Sequence, residues 1–269
     1  MTLALHDVGY RYAGADEPAL LGIDLELRAG TVVGLAGASE SGKTTLCLVA
    51  SGLAPRTIGG RIRGRITLDG EEVDAWPMHR LGQRIGIGFQ NPATQLSQVA
   101  ATVFEEVAFG PMNLAVEREA VVARTWSALD ALRIADLAER DPRQLSGGQQ
   151  QLVAMAGLLA MRPTYLVLDE PTAQLDPAGT RLVADAIVRL AGDGTGILVA
   201  EQKTDLLVTA DEVLVLAGGR VALRGAPDEV LADRRLPELG VARPAAVRLR
   251  RAAAAAGGGG ERLEAALHD

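Results

Sequence analysis

The chain has 269 residues, 48% of them apolar and 23% charged, and a formal net charge of −7. That composition makes it a globular protein with one large core or two modest ones. It argues against broad nucleic-acid binding, and no window approaches the roughly 20 consecutive apolar residues of a membrane span. The single cysteine, Cys47, excludes a disulfide within the chain and reads as a small core residue. With no basic, apolar leader at the N-terminus, a cytoplasmic location is expected.

In chain order, residues 3–8 alternate as a strand should, and Tyr10 and Tyr12 follow. Residues 13–18 are turn-rich, residues 23–27 alternate as a half-buried strand, and residues 28–30 turn into an apolar strand at 31–36. Then comes Gly37-Ala38-Ser39-Glu40-Ser41-Gly42-Lys43-Thr44-Thr45, which fits G-x-x-x-x-G-K-[ST], and a helix start at 46–51. Gly37 and Gly42 let backbone N–H groups turn inward toward phosphate oxygens, and the following helix adds its positive dipole end. Lys43 supplies a point charge for β- and γ-phosphates, and the Thr44 hydroxyl can ligate Mg²⁺. Chance would give this pattern in roughly one chain per hundred of this length, and the flanking strand and helix lower that.

Residues 64–70 form a further short strand closed by an Asp-Gly turn, and residues 85–89 a strand that ends at Gln90. From 103 to about 161 the apolar spacing turns helical, with Val103, Phe104, Val107 and Ala108 on one face and Val121, Val122, Trp126, Leu129 and Leu132 extending it. Residues 149–161 are apolar nearly all round, as in a buried helix. The block reads as a helical insertion into an α/β core. Residues 165–168, 197–200 and 212–216 are buried strands, residues 182–190 a helix, and residues 221–223 a strand after a turn. The alternation predicts a layered α/β domain. Residues 252–260 are low-complexity and predict a flexible linker before a short terminal helix.

Two acids, Asp169 and Glu170, stand at the C-terminal end of the strand at 165–168, the edge where open α/β sheets bind ligands. Asp169 is placed to hold Mg²⁺, and Glu170 to orient a water and accept its proton; the bland alternative is a helix cap or a solvated turn. Ser146-Gly147-Gly148-Gln149 precedes a long helix and offers N–H groups, a hydroxyl and a dipole end to an anion. One chain already has its own phosphate loop, so a second cradle points to a nucleotide held by another subunit. The arginines at 56, 61, 63 and 65, and those at 248, 250 and 251, are solvated surface or a contact to lipid or a partner. The three histidines lie far apart, without metal-ligand spacing.

In order and over roughly residues 1–230, these segments resemble the ATP-binding cassette (ABC) ATPases. Residues 37–45 resemble Walker A, residues 165–170 Walker B, and residues 145–149 the ABC signature; Gln90 resembles the Q-loop glutamine, residues 172–176 with Asp176 the D-loop, and Tyr12 the A-loop aromatic that stacks on adenine. The resemblance implies an α/β P-loop NTPase with a three-layer core, an antiparallel β subdomain and a helical subdomain at about 95–160, followed by an extension at 231–269. It implies ATP and Mg²⁺, and two cassettes closing head to tail. Lys43, Thr44, Gln90, Asp169, Glu170 and Gln202 would act on the chain's own nucleotide, with Thr44, Gln90 and Asp169 at the metal; Ser146, Gly147 and Gly148 would bind the partner's γ-phosphate.

A narrower resemblance, over residues 89–96, 103–111 and 239 onward, is to the ATPases of energy-coupling factor (ECF) importers. It implies a transmembrane scaffold subunit docking near Gln90, no nucleic acid, and a peripheral place on the inner face of the cell membrane. Three positions depart from the family pattern. Glu40 stands where Gly is usual, Leu152 where Arg is common, and Gln202 at the switch-histidine position, unless a one-residue shift puts Glu201 there. A Gln can donate a hydrogen bond but carries no charge. Other readings stay open: a soluble ABC ATPase of DNA maintenance, a P-loop kinase, or an ATP-binding module with little hydrolysis.

Overall fold

The computed structural model describes residues 1–249. The linker and terminal helix expected past 252, with Arg250 and Arg251, lie outside the described residues.

β1 (Thr2–Arg11) and β2 (Leu20–Arg28) pair antiparallel; β2 alternates, with Ile23, Leu25 and Leu27 inward, while the register of β1 shifts between Leu5 and Val8 and again before Tyr10. β3 (Val32–Gly37) delivers the chain to α1 (Lys43–Ala50), which starts three residues earlier than the apolar run suggests because the loop glycines end at Gly42. A short turn, α2 (Leu53–Arg56), leads to β4 (Arg61–Leu68) and β5 (Glu71–Glu72), joined at Asp69-Gly70, both with positive φ. β1, β2, β4 and β5 make one antiparallel sheet in the order β2-β1-β4-β5. Arg61, Arg63 and Arg65 are solvated on β4, but the Arg56 guanidinium donates to the carbonyls of Gly52 and Val73 and belongs to the packing.

After α3 (Met78–Gly82) and β6 (Ile85–Gly88) come the three long helices of the insertion: α4 (Val103–Asn113), α5 (Arg118–Ala131) and α6 (Gly147–Met161). Thr102 and Glu105 close a capping box on α4, and Ser146 and Gln149 close another on α6. The buried stripe of α5 is Val121, Thr125, Ala128 and Leu129. Val122 and Trp126 lie on the next stripe round and stay substantially exposed, Trp126 resting on Phe104 with ring centroids 5.2 Å apart. Val122 and Trp126, four residues apart, share a stripe about 100° round from the one led by Val121 and Thr125, and that stripe is only half covered.

The second sheet collects β7 (Tyr165–Asp169), β8 (Gly196–Ala200), β9 (Glu212–Ala217) and β10 (Arg220–Gly225), with α7 (Pro177–Gly192) and α8 (Pro227–Ala232) alongside. Its order is β10-β9-β3-β8-β7-β6, parallel except for β10. The continuously apolar strands divide their side chains between two cores. Val33, Leu35, Val167, Leu198 and Leu214 face α1 and the antiparallel sheet; Val32, Leu166, Leu168, Val199 and Val213 face α6, α7 and the rest of the helical side. A Leu168→Ala change in such a site costs about 2–5 kcal/mol. Past α8, Leu236 and Val241 return into the second of these cores with Leu239 partly buried against it, while Pro237, Glu238 and Gly240 stay at the surface. The loops after β3, β7 and β8 all leave the same edge of the parallel sheet, and that edge carries the site.

Candidate nucleotide-binding site

Between β3 and α1 the chain must make a tight loop, and two glycines permit it. A Cβ on Gly37 would stand 2.3 Å from Ser41 Oγ and 2.8 Å from the Leu216 carbonyl; Gly42 sits at φ +108° as the N-cap of α1. Lys43, buried, donates to the carbonyls of Gly37 at 2.8 Å and Ala38 at 3.1 Å, arching over the loop. Glu40 is exposed at φ +63°, a left-handed conformation that favours glycine. That geometry is the physical reason for glycine at this point of such a loop.

The carboxylates arrive from β7. Asp169 is only 4% exposed; burial pushes its carboxyl above the ordinary range, and a hydrogen bond to the Thr44 hydroxyl and the nearby Lys43 charge oppose the rise. Its Oδ1 has no hydrogen-bond partner among the described residues. Glu170 adopts φ +50°, which turns its side chain off the strand line. One of its oxygens accepts from Gln90 Nε2 at 2.9 Å and the other lies 4.0 Å from Lys43 Nζ. Three residues from three separate loops thus meet. Ser39, Glu40, Gly42, Lys43, Thr44, Thr45, Gln90, Glu170 and Gln202 line one cleft of 320 Å³, with Ala19 at its rim. The Tyr12 hydroxyl shares a hydrogen bond of 3.0 Å with Thr45 Oγ1, and its ring meets Tyr10 edge-on at 4.9 Å.

Of the two residues after β8, Gln202 lines the cleft, while Glu201 turns inward and is 2% exposed. Glu201 Oε1 accepts from the Thr172 backbone N–H at 3.1 Å and from its hydroxyl at 2.7 Å. Burial pushes this carboxyl up to about 7, against those two donors. Glu201 thereby ties the end of β8 to the loop after Glu170, a role the sequence does not announce. Two more such ties act behind Gln90. Gln95 accepts from the Phe89 N–H at 3.1 Å, and Glu106 on α4 accepts from the Ser97 N–H and hydroxyl at 2.6 and 2.7 Å.

The remaining sequence-singled residues lie elsewhere. Ser146 caps α6, its hydroxyl accepting from the Gln149 N–H at 3.3 Å, and Ser146, Gly147, Gly148 and Gln149 do not line the cleft. Gly147 and Gly148 pack against Gln174: a Cβ on Gly147 would stand 2.7 Å from its Oε1. Asp176 is the N-cap of α7 and accepts from the Gly179 N–H at 2.7 Å. Leu152 is buried, and so is Cys47, whose thiol burial pushes well up, away from reactivity.

Residues 20–173 match the profile of the family described as ABC transporter. The chain is 42% identical over 236 residues to the energy-coupling factor transporter ATP-binding protein EcfA1 of Symbiobacterium thermophilum, covering 85% of this chain and 78% of that one. Among solved structures it is similar to CbiO1 of Clostridium perfringens, part of the ABC transporter complex CbiONQ, with a TM-score of 0.75 at 33% identity over 88% of this chain and 96% of that one. It is also similar to the dimeric ABC transporter cassette MJ0796, with a TM-score of 0.74 at 25% identity over 84% and 98%. With the family profile spanning more than half its length and such relatives over most of it, the chain belongs to the ABC transporter family as an ATP-binding subunit, an ATPase similar to those of the energy-coupling factor group.

Proposed function

We propose that this subunit hydrolyses ATP to drive solute import through a membrane partner, as a peripheral protein of the inner membrane face. The observation that carries the hydrolytic part is the meeting of Gln90, Glu170 and Lys43 in one cleft. Lys43 leaves its loop carbonyls for the β- and γ-phosphates. Glu170, held by Gln90, orients the attacking water and takes its proton. Gln202 donates to the γ-phosphate without adding charge. Asp169, with an unpartnered buried oxygen, and Thr44, with its hydroxyl beside that carboxyl, are hard oxygen donors that suit Mg²⁺, with Gln90 at the edge of the same site. When bound, Mg²⁺ neutralises developing phosphate charge.

Ser146, Gly147 and Gly148 do not line their own chain's cleft. They serve the γ-phosphate bound by a second cassette, whose signature in turn completes this one. This reading gains support from a similar cassette that is dimeric. Closure on ATP and opening after hydrolysis would move the helical subdomain. Between β6, α4 and α6 lies an apolar groove of 290 Å³, lined by Gln95, Leu96, Phe109 and Met161 among others, and it opens beside the segment after Gln90. Phe109 in this groove is 43% exposed, and Met112, further along α4, is 63% exposed. A scaffold helix seated in this groove would feel the Gln90 loop through Gln95 and Glu106. No described helix is long and apolar enough to cross a membrane; in this reading the translocation path belongs to the membrane partner.

The test is ATP turnover of the purified protein and its Glu170→Gln variant, with and without DNA. The proposal expects Glu170→Gln to abolish turnover while ATP still binds, and DNA to change nothing. Turnover unaffected by Glu170→Gln removes the base assignment, and stimulation by DNA removes the transport reading.

A further inference from the structure

The chain beyond α8 does more than cover the core. Leu236 and Val241, both buried, fix the two ends of a turn whose Val241 N–H donates to the Leu236 carbonyl at 3.0 Å. Arg243 locks the turn from below, donating to the carbonyls of Asp233 and Arg234. At its tip Gly240 adopts φ +71° and lies against the phosphate loop: a Cβ there would stand 2.9 Å from Ala38 Cβ. The strand of contacts continues. The buried Thr204 hydroxyl, two residues after Gln202, donates to the Ala242 carbonyl at 2.7 Å, and Asp205 accepts from the Ala245 N–H at 2.8 Å. One short segment is therefore fastened to the loop that follows Gln202 and pressed against the loop that holds Lys43.

We infer that residues 236–245 form a brace that positions the phosphate loop, with Gly240 as a positioning residue for nucleotide binding through its contact with Ala38. The inference rests on the phosphate loop being the ATP site and adds a second element that sets its shape. Lys43 accounts for part of that shape by bonding the Gly37 and Ala38 carbonyls from inside the loop. The brace supports Ala38 from outside. Glycine is required at 240 for two separable reasons: the positive φ, which an L-residue tolerates poorly, and the absence of a side chain where Ala38 already stands. The first is local to the turn. The second is felt by the phosphate loop, so the two can be told apart.

The experiment is a double-mutant cycle on the full-length protein, read as affinity for a fluorescent ATP analogue with Mg²⁺. Gly240→Ala should weaken binding about tenfold, the effect of a clash costing about 1.4 kcal/mol. Ala38→Gly removes the methyl group that Gly240→Ala meets, so the double variant should bind better than the product of the two single effects predicts. Additive effects would overturn the inference, because strain confined to the turn gives no coupling. Thr204→Val supplies an arm that leaves the tip intact. Hydrogen exchange should quicken at residues 236–245 and also at 37–42. Quickening at 236–245 alone would equally overturn the brace, while showing that the protein is folded. Loss of ATP turnover with unchanged analogue affinity in Gly240→Ala would contradict it as well, since the phosphate loop would then be undisturbed.

Discussion

Replacing Glu201 by Gln removes a buried carboxyl that burial holds near neutrality. Its pKa is raised from an ordinary 4.5 to about 7, which makes it the weaker acid in the folded chain. Below the lower value the group is protonated in both folded and unfolded chains and adds no pH dependence. As pH rises between the two values the unfolded chain releases its proton while the folded one keeps it, so stability falls with rising pH. Above about 7 the folded state carries an ionised carboxylate inside the protein, and the loss is complete at about 3 kcal/mol. Glu201→Gln keeps an acceptor for Thr172 and has no charge to bury. Urea denaturation midpoints at pH 5 and pH 8 provide the assay. The wild type should lose about 2.5 kcal/mol more than Glu201→Gln across that interval, because part of the loss is already present at pH 5, and the variant should be the more stable protein at pH 8. Parallel pH dependences in the two proteins would refute the reasoning and place a permanently charged Glu201 in the Thr172 contact.

Glu40→Gly should stabilise the protein by about 1 kcal/mol, by relieving a non-glycine residue at φ +63°, and thermal unfolding measures it. The same change removes a negative charge from the rim of the nucleotide cleft, so ATP should bind several-fold tighter at low salt and less so at high salt; equal affinities at low salt would mean the side chain points to water. Phe109→Asp places a charge on the exposed flank of the α4 groove. It should leave the ATPase activity of the isolated subunit within about twofold and abolish co-purification with a membrane partner; retained assembly would move the docking surface elsewhere.

The parts of the site carried by one unbroken stretch were readable in the sequence. Residues 38–42 form a loop between β3 and α1 because the glycines and the flanking strand and helix are local, and Asp169-Glu170 falls at a strand end for the same reason. The layered sheet was readable too, since runs such as 165–168 are too apolar for anything but a strand covered on both faces. What escaped was contact between loops. In sequence Glu201 is only a rival to Gln202 for the switch position, until Thr172, twenty-nine positions earlier, is seen to bond it. Gln95 and Glu106 look like surface residues of a helical insertion, yet each holds the chain next to Gln90. Gly240 and Ala38 meet only because the C-terminal turn folds back on the sheet edge. Helical periodicity also placed Val122 and Trp126 inward, because an apolar residue one step beyond a buried stripe looks the same in sequence as one on it.

Pairing complementary variants tests the composite site directly. Lys43→Ala disables a chain's own phosphate loop, and Ser146→Arg blocks the anion cradle it lends. Each protein alone should be inactive. Mixed, they can form a pair in which one cleft combines an intact Lys43 with an intact Ser146, and turnover should return, peaking at equal amounts. Normal turnover by Ser146→Arg alone, or a mixture as inactive as its components, would contradict a nucleotide site built from two cassettes.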